Sequence, residues 1–280
     1  MVKTISICNR KIGKGERTFI IAEAGINHNG DINIAKKLIH EAKKAGADAI
    51  KFQTYITENR VPKDNPVYSI LKKSELNKEQ INVLKEFAEQ EDIIFFSSPF
   101  DEESVDVLLD LKVPLIKITS MHVTHLRLLR KVAKTKTPVI MSRGMASVND
   151  MDKAIEIFEK YGCPYILMHC VSSYPMKEED ANISIVRTMI ERYKCPIGYS
   201  DHSKGIKVPL IAIAGGANII EKHFTHDKKY DCADQILSSD PMELKKLVDE
   251  ARKIETILGK PDIRLLDCEK GTVQYKFKSK

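Results

Sequence analysis

Residues 19–30 read FIIAEAGINHNG. Phe19 to Ala22 give four apolar residues in a row, the pattern of a strand buried on both faces, as in a parallel sheet. Glu23 then places a carboxylate at the end of that strand. Gly25 to Gly30 form a short polar loop bounded by glycines, which lets the chain turn sharply. Asp31 follows as a helix N-cap, and residues 32–45 carry an amphipathic helical pattern closed by Gly46. The stretch therefore reads as one strand–loop–helix unit with an acid where strand meets loop.

The same unit recurs along the 280 residues. Candidate strands are Phe19–Ala24, Ala49–Thr54, Ile93–Ser98, Leu115–Thr119, Val139–Ser142, Tyr165–Cys170, Ile197–Ser200 and Ile219–His223. Helical patterns fill the gaps, with Asn77 as a further N-cap, Gly162 and Gly259 as stops, and a last helix over Pro241–Leu258. Pro114, Pro138, Pro164 and Pro196 each stand just before a strand, where a missing N–H is tolerated. Eight such units predict an α/β fold of the (β/α)8 TIM-barrel type, as a single barrel domain over residues 1–280. Thr4–Cys8, a Gly13-Lys14-Gly15 turn and the first barrel strand predict an N-terminal β-hairpin region (1–17) at the bottom. Residues 260–280 read as a short tail. The connection Tyr55–Glu75 is long for a β-to-α loop, and loops of that length usually cover a site.

Composition narrows the function classes. Hydrophobic residues make up 42% of the chain, enough for a large core, and the net charge of +6 is mild. The positive charge is dispersed except at Lys270, Lys276, Lys278 and Lys280, which read as a solvated end. No basic block interleaved with aromatics suggests a nucleic-acid partner. Cysteines 8, 163, 170, 195, 232 and 268 form no C-x-x-C pair and predict reduced thiols. With no signal peptide and no membrane-spanning stretch, the expected location is cytoplasmic.

In a (β/α)8 barrel the site forms at the C-terminal ends of the strands. The candidate strands carry polar residues there: Glu23, Lys51 and Gln53, Ser97 and Ser98, Lys117 and Thr119, Ser142 and Arg143, His169, Ser200 to His202, then Glu221 and His223. Period-two alternation puts Lys51 with Gln53, Lys117 with Thr119, and Glu221 with His223 on shared faces. A lysine beneath the helix layer would be costly to bury, so the inward, mouth-facing assignment is favoured. Two lysines and several hydroxyls then make a cradle for phosphate or carboxylate. His202 and His223, on adjacent strands with Asp201 and Glu221 beside them, can share a cation. Two imidazoles with oxygen ligands suit Mn2+, Co2+, Fe2+ or Zn2+.

These residues carry a resemblance. The segments IAEAGINHNG (21–30), AIKFQTY (49–55), FFSSPFD (95–101), IKITS (116–120), IMSRGM (140–145), LMHCVSSYP (167–175), IGYSDHS (197–203) and IIEKHFT (219–225) resemble, in order and over nearly the whole chain, the sialic acid synthase family. The resemblance implies condensation of phosphoenolpyruvate with N-acetylmannosamine or a related aldose, to give a nine-carbon sialic-acid-type 2-keto acid and phosphate. It implies that Lys51, Gln53, Ser98, Lys117, Ser120, Ser142 and Ser200 hold phosphoenolpyruvate. His202 and His223 would bind a divalent metal, Mn2+ first, with Mg2+ and Co2+ as alternatives. Glu23, Tyr174, Asp234 and Ser172 would face the sugar, with Glu23 beside the reacting aldehyde. The resemblance makes Glu23, Lys51, Lys117, His202 and His223 the expected catalytic set.

The chain departs from the family pattern at His122, where a glutamate is usual, at Ser172, where an asparagine is usual, and at Arg143, where a threonine is usual. Arg143 could read an anionic group on an altered acceptor or form a surface ion pair. About twenty residues follow Gly259, too few for the C-terminal antifreeze-like domain of family members, so a separate chain is expected to supply such a cover if there is one. A homodimer is a further expectation. Two rival readings stay open: a phosphoenolpyruvate-dependent synthase for a different aldose, and a non-catalytic barrel that binds the same ligands.

Overall fold

The computed structural model describes residues 4–277. It opens with β1 (Ile5–Ile7) and β2 (Arg10–Ile12), an antiparallel pair. Eight parallel strands follow: β3 (Phe19–Gly25), β4 (Ala49–Thr54), β5 (Ile94–Pro99), β6 (Ile116–Ile118), β7 (Val139–Ser142), β8 (Tyr165–Cys170), β9 (Ile197–Asp201) and β10 (Ile219–His223). They close into a barrel in the order β10-β3-β4-β5-β6-β7-β8-β9. The expected (β/α)8 architecture is met.

The helices are α1 (Ile32–Lys44), α2 (Thr57–Arg60), α3 (Tyr68–Ser74), α4 (Lys78–Gln90), α5 (Glu102–Asp110), α6 (Leu126–Thr135), α7 (Val148–Tyr161), α8 (Ser184–Arg192), α9 (Lys207–Ala214) and α10 (Pro241–Leu258). Their starts follow local chemistry. The Asp31 carboxylate accepts from Asn33 N and Ile34 N at the head of α1, and Asn77 with Gln80 forms a capping box on α4. Asp240 does the same with Glu243 on α10, whose first residue is proline.

Two apolar layers hold the barrel. Strand residues such as Ile20, Ile50, Ile118 and Ile220 pack outward onto helix residues such as Leu38, Leu84, Leu129 and Leu247. Inside, Phe19, Ile21, Phe96, Ile140 and Ile219 fill the lower barrel, and Ile7 and Ile12 of the hairpin plug it. The hairpin differs from expectation in its pairing. The strands that pair are β1 and β2, and the turn falls at Cys8 and Asn9, with Cys8 in the left-handed region at φ 51°, rather than at Gly13 to Gly15. β3 is left free to join the barrel.

The 55–75 connection folds into α2 and α3, packed over the barrel mouth through a small apolar cluster of Ile26, Tyr55, Leu71 and Phe100. Beyond Gly259 the described tail is exposed and contains a 3-10 helix at Asp267–Tyr275. Lys278 and Lys280 lie outside the described residues. No helix among those described is long and apolar enough to cross a membrane, and the six cysteines are unpaired.

Candidate active site

A cavity of about 430 Å3 opens at the C-terminal ends of the barrel strands. Register builds its floor. Glu23 on β3 lies opposite Lys51 on β4 and His223 on β10, while Glu221 lies opposite Ser200 on β9. Adjacent parallel strands are about 4.8 Å apart, so groups in register reach one another with short side-chain adjustments.

Glu221 Oε1 is the hub. It accepts from Lys117 Nζ at 3.1 Å and Ser200 Oγ at 3.0 Å, and Lys51 Nζ stands 3.5 Å away. Lys51 Nζ also lies 3.0 Å from Glu23 Oε1 and donates to Ser98 Oγ at 3.2 Å. Burial alone would push Glu221 up, but Lys117 and Lys51 outweigh it and hold its pKa down at about 2. Burial pushes Glu23 up, and Lys51 offsets only part of this while Glu221 adds to it. Lys51 is raised because Glu221 and Glu23 overcome its burial, whereas Lys117 is lowered because burial wins over Glu221. One carboxylate is therefore firmly ionised and its neighbour is biased toward holding a proton.

Beside this hub stand the histidines. The His202 and His223 ring centroids are 5.4 Å apart. His202 Nδ1 is 2.6 Å from the Val171 carbonyl and donates to it, which leaves Nε2 with its lone pair. His223 Nδ1 is 3.3 Å from Asp234 Oδ2, an ion-pair distance without hydrogen-bond alignment. Burial, then His223, push His202 down to about 3. Asp234 overcomes burial and raises His223. Tyr174 stacks 4.1 Å from the His202 ring.

The donor set fits a divalent cation. Each imidazole turns one nitrogen to a carbonyl or carboxylate, the outer arrangement that orients a ligating histidine. Glu23 Oε2 and Glu221 Oε2 are buried without a protein partner nearby. Among the described residues no cluster of three or more His, Cys, Asp or Glu forms a full ligand set, so a cation here would complete its shell with substrate or water oxygens.

On the far wall, Ser120, Ser142 and Ser172 line the cavity, and the Ser142 and Ser172 hydroxyls have no protein partner. Gly144 makes this wall possible. A Cβ there would lie 2.4 Å from Ser172 Oγ and 2.7 Å from both Cys170 Sγ and Ser120 Oγ. On the near wall β3 is bulged between Glu23 and Gly25, and Gly25 sits at φ 54°. Its missing side chain brings the backbone against Glu23 Oε1, Gln53 Nε2 and Asp234 Oδ2.

Of the residues singled out from sequence, Glu23, Lys51, Gln53, Lys117, Ser120 and Ser142 line this cavity, as do Ser172, Tyr174, Ser200, His202, His223 and Asp234. Ser98 does not. It is wholly buried beneath Lys51, a support for that ammonium. His122 is also off the lining, bonded to Thr119 Oγ1 at 2.8 Å and packed on Phe100. Arg143 points away, with its charge felt at His169 and its Nε buried without a protein partner. The lining residues not assigned from sequence include Arg60, Phe100 and Ile26. Arg60 carried no periodic signal, because α2 is only four residues long.

The chain matches the model of the NeuB family over residues 38–262. It is 39% identical to the N,N'-diacetyllegionaminic acid synthase of Legionella pneumophila, over 93% of this chain and 80% of that one. It is 35% identical to the N-acetylneuraminate-9-phosphate synthase of Mus musculus, over 95% and 78%. Among solved structures it superposes on the N-acetylneuraminic acid (sialic acid) synthetase of Leptospira borgpetersenii with a TM-score of 0.96 and 44% identity, covering 98% of this chain and 96% of that one.

Proposed function

This chain belongs to the NeuB family, and from that premise we propose that it condenses phosphoenolpyruvate with an N-acetylated aldose, N-acetylmannosamine-like, to a nine-carbon 2-keto acid with release of phosphate. The observation that supports this reading is the pairing, in one cavity, of two buried lysines and a row of hydroxyls with a carboxylate biased toward its protonated form. The first set suits an anion. The second suits an aldehyde whose oxygen gains charge.

Phosphoenolpyruvate is assigned to the side of Lys117, Ser120, Ser142 and Ser200, with Lys51 and Gln53 between it and the acceptor and Ser98 holding Lys51 from below. Lysine charge neutralises phosphate and carboxylate, and the unpartnered Ser142 hydroxyl supplies a directed donor. The aldose is assigned to the side of Glu23, Tyr174, Ser172 and Asp234. C3 of the enol attacks the aldehyde carbon. Glu23, held between Lys51 and Gln53, manages the proton on the aldehyde oxygen. Water then adds at C2 and phosphate leaves with cleavage of its C–O bond, while Lys51 and Lys117 hold the departing anion. A divalent cation on His202 and His223, with Mn2+ first and Mg2+ or Co2+ as alternatives, would supply Lewis-acid polarisation of the aldehyde. A cytoplasmic homodimer is the form we expect.

The deciding experiment is incubation with phosphoenolpyruvate, Mn2+ and a panel of N-acetylated hexoses and non-acetylated aldoses, read by phosphate release and by the mass of the product acid. Product with a non-acetylated aldose alone moves the reading to a different acceptor. Tight phosphoenolpyruvate binding with no phosphate release from any aldose makes the barrel a binding protein.

A further inference from the structure

Arg60 lines the cavity at the end assigned to the acceptor, and no carboxylate lies within ion-pair distance of it among the described residues. Lys51 and Lys117 are paired with Glu23 and Glu221, and His223 with Asp234. Arg60 differs from these cations. Its guanidinium is held by stacking, 3.8 Å from the Phe100 ring centroid and 4.9 Å from that of Tyr55. Nη1 donates to Gln53 Oε1 at 3.1 Å, and this sets the Gln53 amide with Nε2 turned to Glu23 Oε1 at 3.5 Å. The remaining guanidinium N–H groups have no protein acceptor among the described residues. Ile26 and Phe100, both buried members of the apolar cluster at the mouth, line the cavity alongside it.

We propose that Arg60, Ile26 and Phe100 form a subsite that reads an acylamino group on the acceptor sugar, with the carbonyl oxygen accepting from the guanidinium and the acyl methyl resting on the two apolar side chains. The ligand is neutral because of its surroundings. A phosphate or carboxylate here would stand beside Glu23 and Asp234, whose oxygens cluster with Gln53 around Gly25. A carbonyl oxygen takes the same hydrogen bond without that repulsion. Arg60 is thereby a specificity-determining residue. The inference rests on the acceptor end assigned under the proposed function.

Its test compares N-acetylmannosamine with mannose, which differ at the acylamino position alone. Binding of each to the Mn2+-loaded protein is measured by calorimetry without phosphoenolpyruvate, for the wild type, Arg60→Met and Arg60→Lys. Met keeps a chain over Phe100 but has no donor; Lys keeps the charge but loses the planar fork. The wild type is expected to prefer the acylated sugar by about tenfold or more, the worth of one charge-assisted hydrogen bond. Arg60→Met is expected to erase that preference and Arg60→Lys to weaken it, with melting temperature and phosphoenolpyruvate affinity held near wild type. A wild type with no preference, a preference that survives unchanged in Arg60→Met, or a loss that falls on phosphoenolpyruvate instead, overturns the subsite. Sugar preference that depends on Arg60 without phosphate release in the full reaction upholds the subsite and sinks the synthase reading alone.

Discussion

Glu23 and Lys51 sit side by side on neighbouring strands, in register, with Glu23 Oε1 3.0 Å from Lys51 Nζ and Glu23 Oε2 facing no protein partner. A carboxylate that served only to neutralise Lys51 would be replaceable, because Glu221 already stands 3.5 Å from the same ammonium. Glu23→Gln keeps the shape and a hydrogen bond to Lys51 while removing proton transfer. The expected outcome is a fall in kcat of about 100-fold or more, with phosphoenolpyruvate affinity and melting temperature little changed. Wild-type turnover in that variant leaves Glu23 as a charge partner and nothing more.

Glu221 gathers Lys117, Lys51 and Ser200 on one oxygen. Glu221→Gln leaves two buried ammonium groups with one carboxylate between them, and breaking such a buried arrangement costs about 3–5 kcal/mol. An anionic ligand supplies the lost charge. The variant should therefore melt well below the wild type, and phosphoenolpyruvate should raise its melting temperature by more than it raises that of the wild type. A ligand shift no larger than the wild-type shift would place phosphoenolpyruvate away from these lysines.

Lys51, Gln53, Lys117 and His223 were readable before any coordinates, because strand alternation and the cost of burying a lone lysine both direct them inward, and the structure puts all four on one cavity. The same rule hid Lys222. It faces outward on β10, wholly buried, at the position a single lysine should avoid. Its partner Asp201 lies one strand away, and pairing across strands leaves no trace in either local pattern. Arg60 escaped for another reason: it comes from a connection whose two short helices have no period long enough to read. The hairpin was misplaced because Gly13 to Gly15 looks like a turn, whereas Cys8 adopts the left-handed conformation that the turn requires.

Gly144→Ala tests the far wall. The added methyl would meet Ser172 Oγ, Cys170 Sγ and Ser120 Oγ, all at 2.7 Å or less. These are side-chain ends bordering the cavity, so they move into it rather than into the core. Overpacking of this kind costs about 1–3 kcal/mol. It should appear as raised KM values for both phosphoenolpyruvate, through Ser120, and the sugar, through Ser172, with a modestly lowered unfolding midpoint. A rise confined to the sugar would place phosphoenolpyruvate away from Ser120.

His28 gives the pH dependence a sign. Its Nδ1 accepts from Gly30 N at 3.0 Å, so the ring is held neutral, and burial pushes its pKa down to about 4, with only partial opposition from the Gly25 backbone and Asp31. The unfolded value is about 6.5. Between these values the unfolded chain binds a proton that the native chain refuses, so the contribution is complete above about pH 6.5 and is lost as pH falls through about 4. His122 and His169, also lowered to about 4 with burial as the first cause, act in the same direction. Chemical denaturation should show stability falling steadily from pH 6.5 to 4, with a shallower slope in His28→Gln. Equal slopes in the two proteins would mean that His28 titrates alike folded and unfolded.

Lys222 Nζ donates to Asp201 Oδ2 at 2.7 Å with both side chains fully buried, and Ser203 Oγ donates to Asp201 Oδ1 at 2.8 Å. This network ties the end of β9 to β10 immediately behind His202 and His223. Lys222→Met strands the Asp201 carboxylate in the interior, a loss expected to reach about 3–5 kcal/mol in urea unfolding. Adding Asp201→Asn removes the stranded charge and keeps an acceptor for Ser203, so the double variant should recover most of that loss. The two variants separate stability from site geometry. If the pair also sets the spacing of the two imidazoles, the double variant will fold well yet bind Mn2+ more weakly than the wild type. A double variant no more stable than Lys222→Met would show that the cost lies in lost packing of the lysine stem and not in an unpaired buried charge.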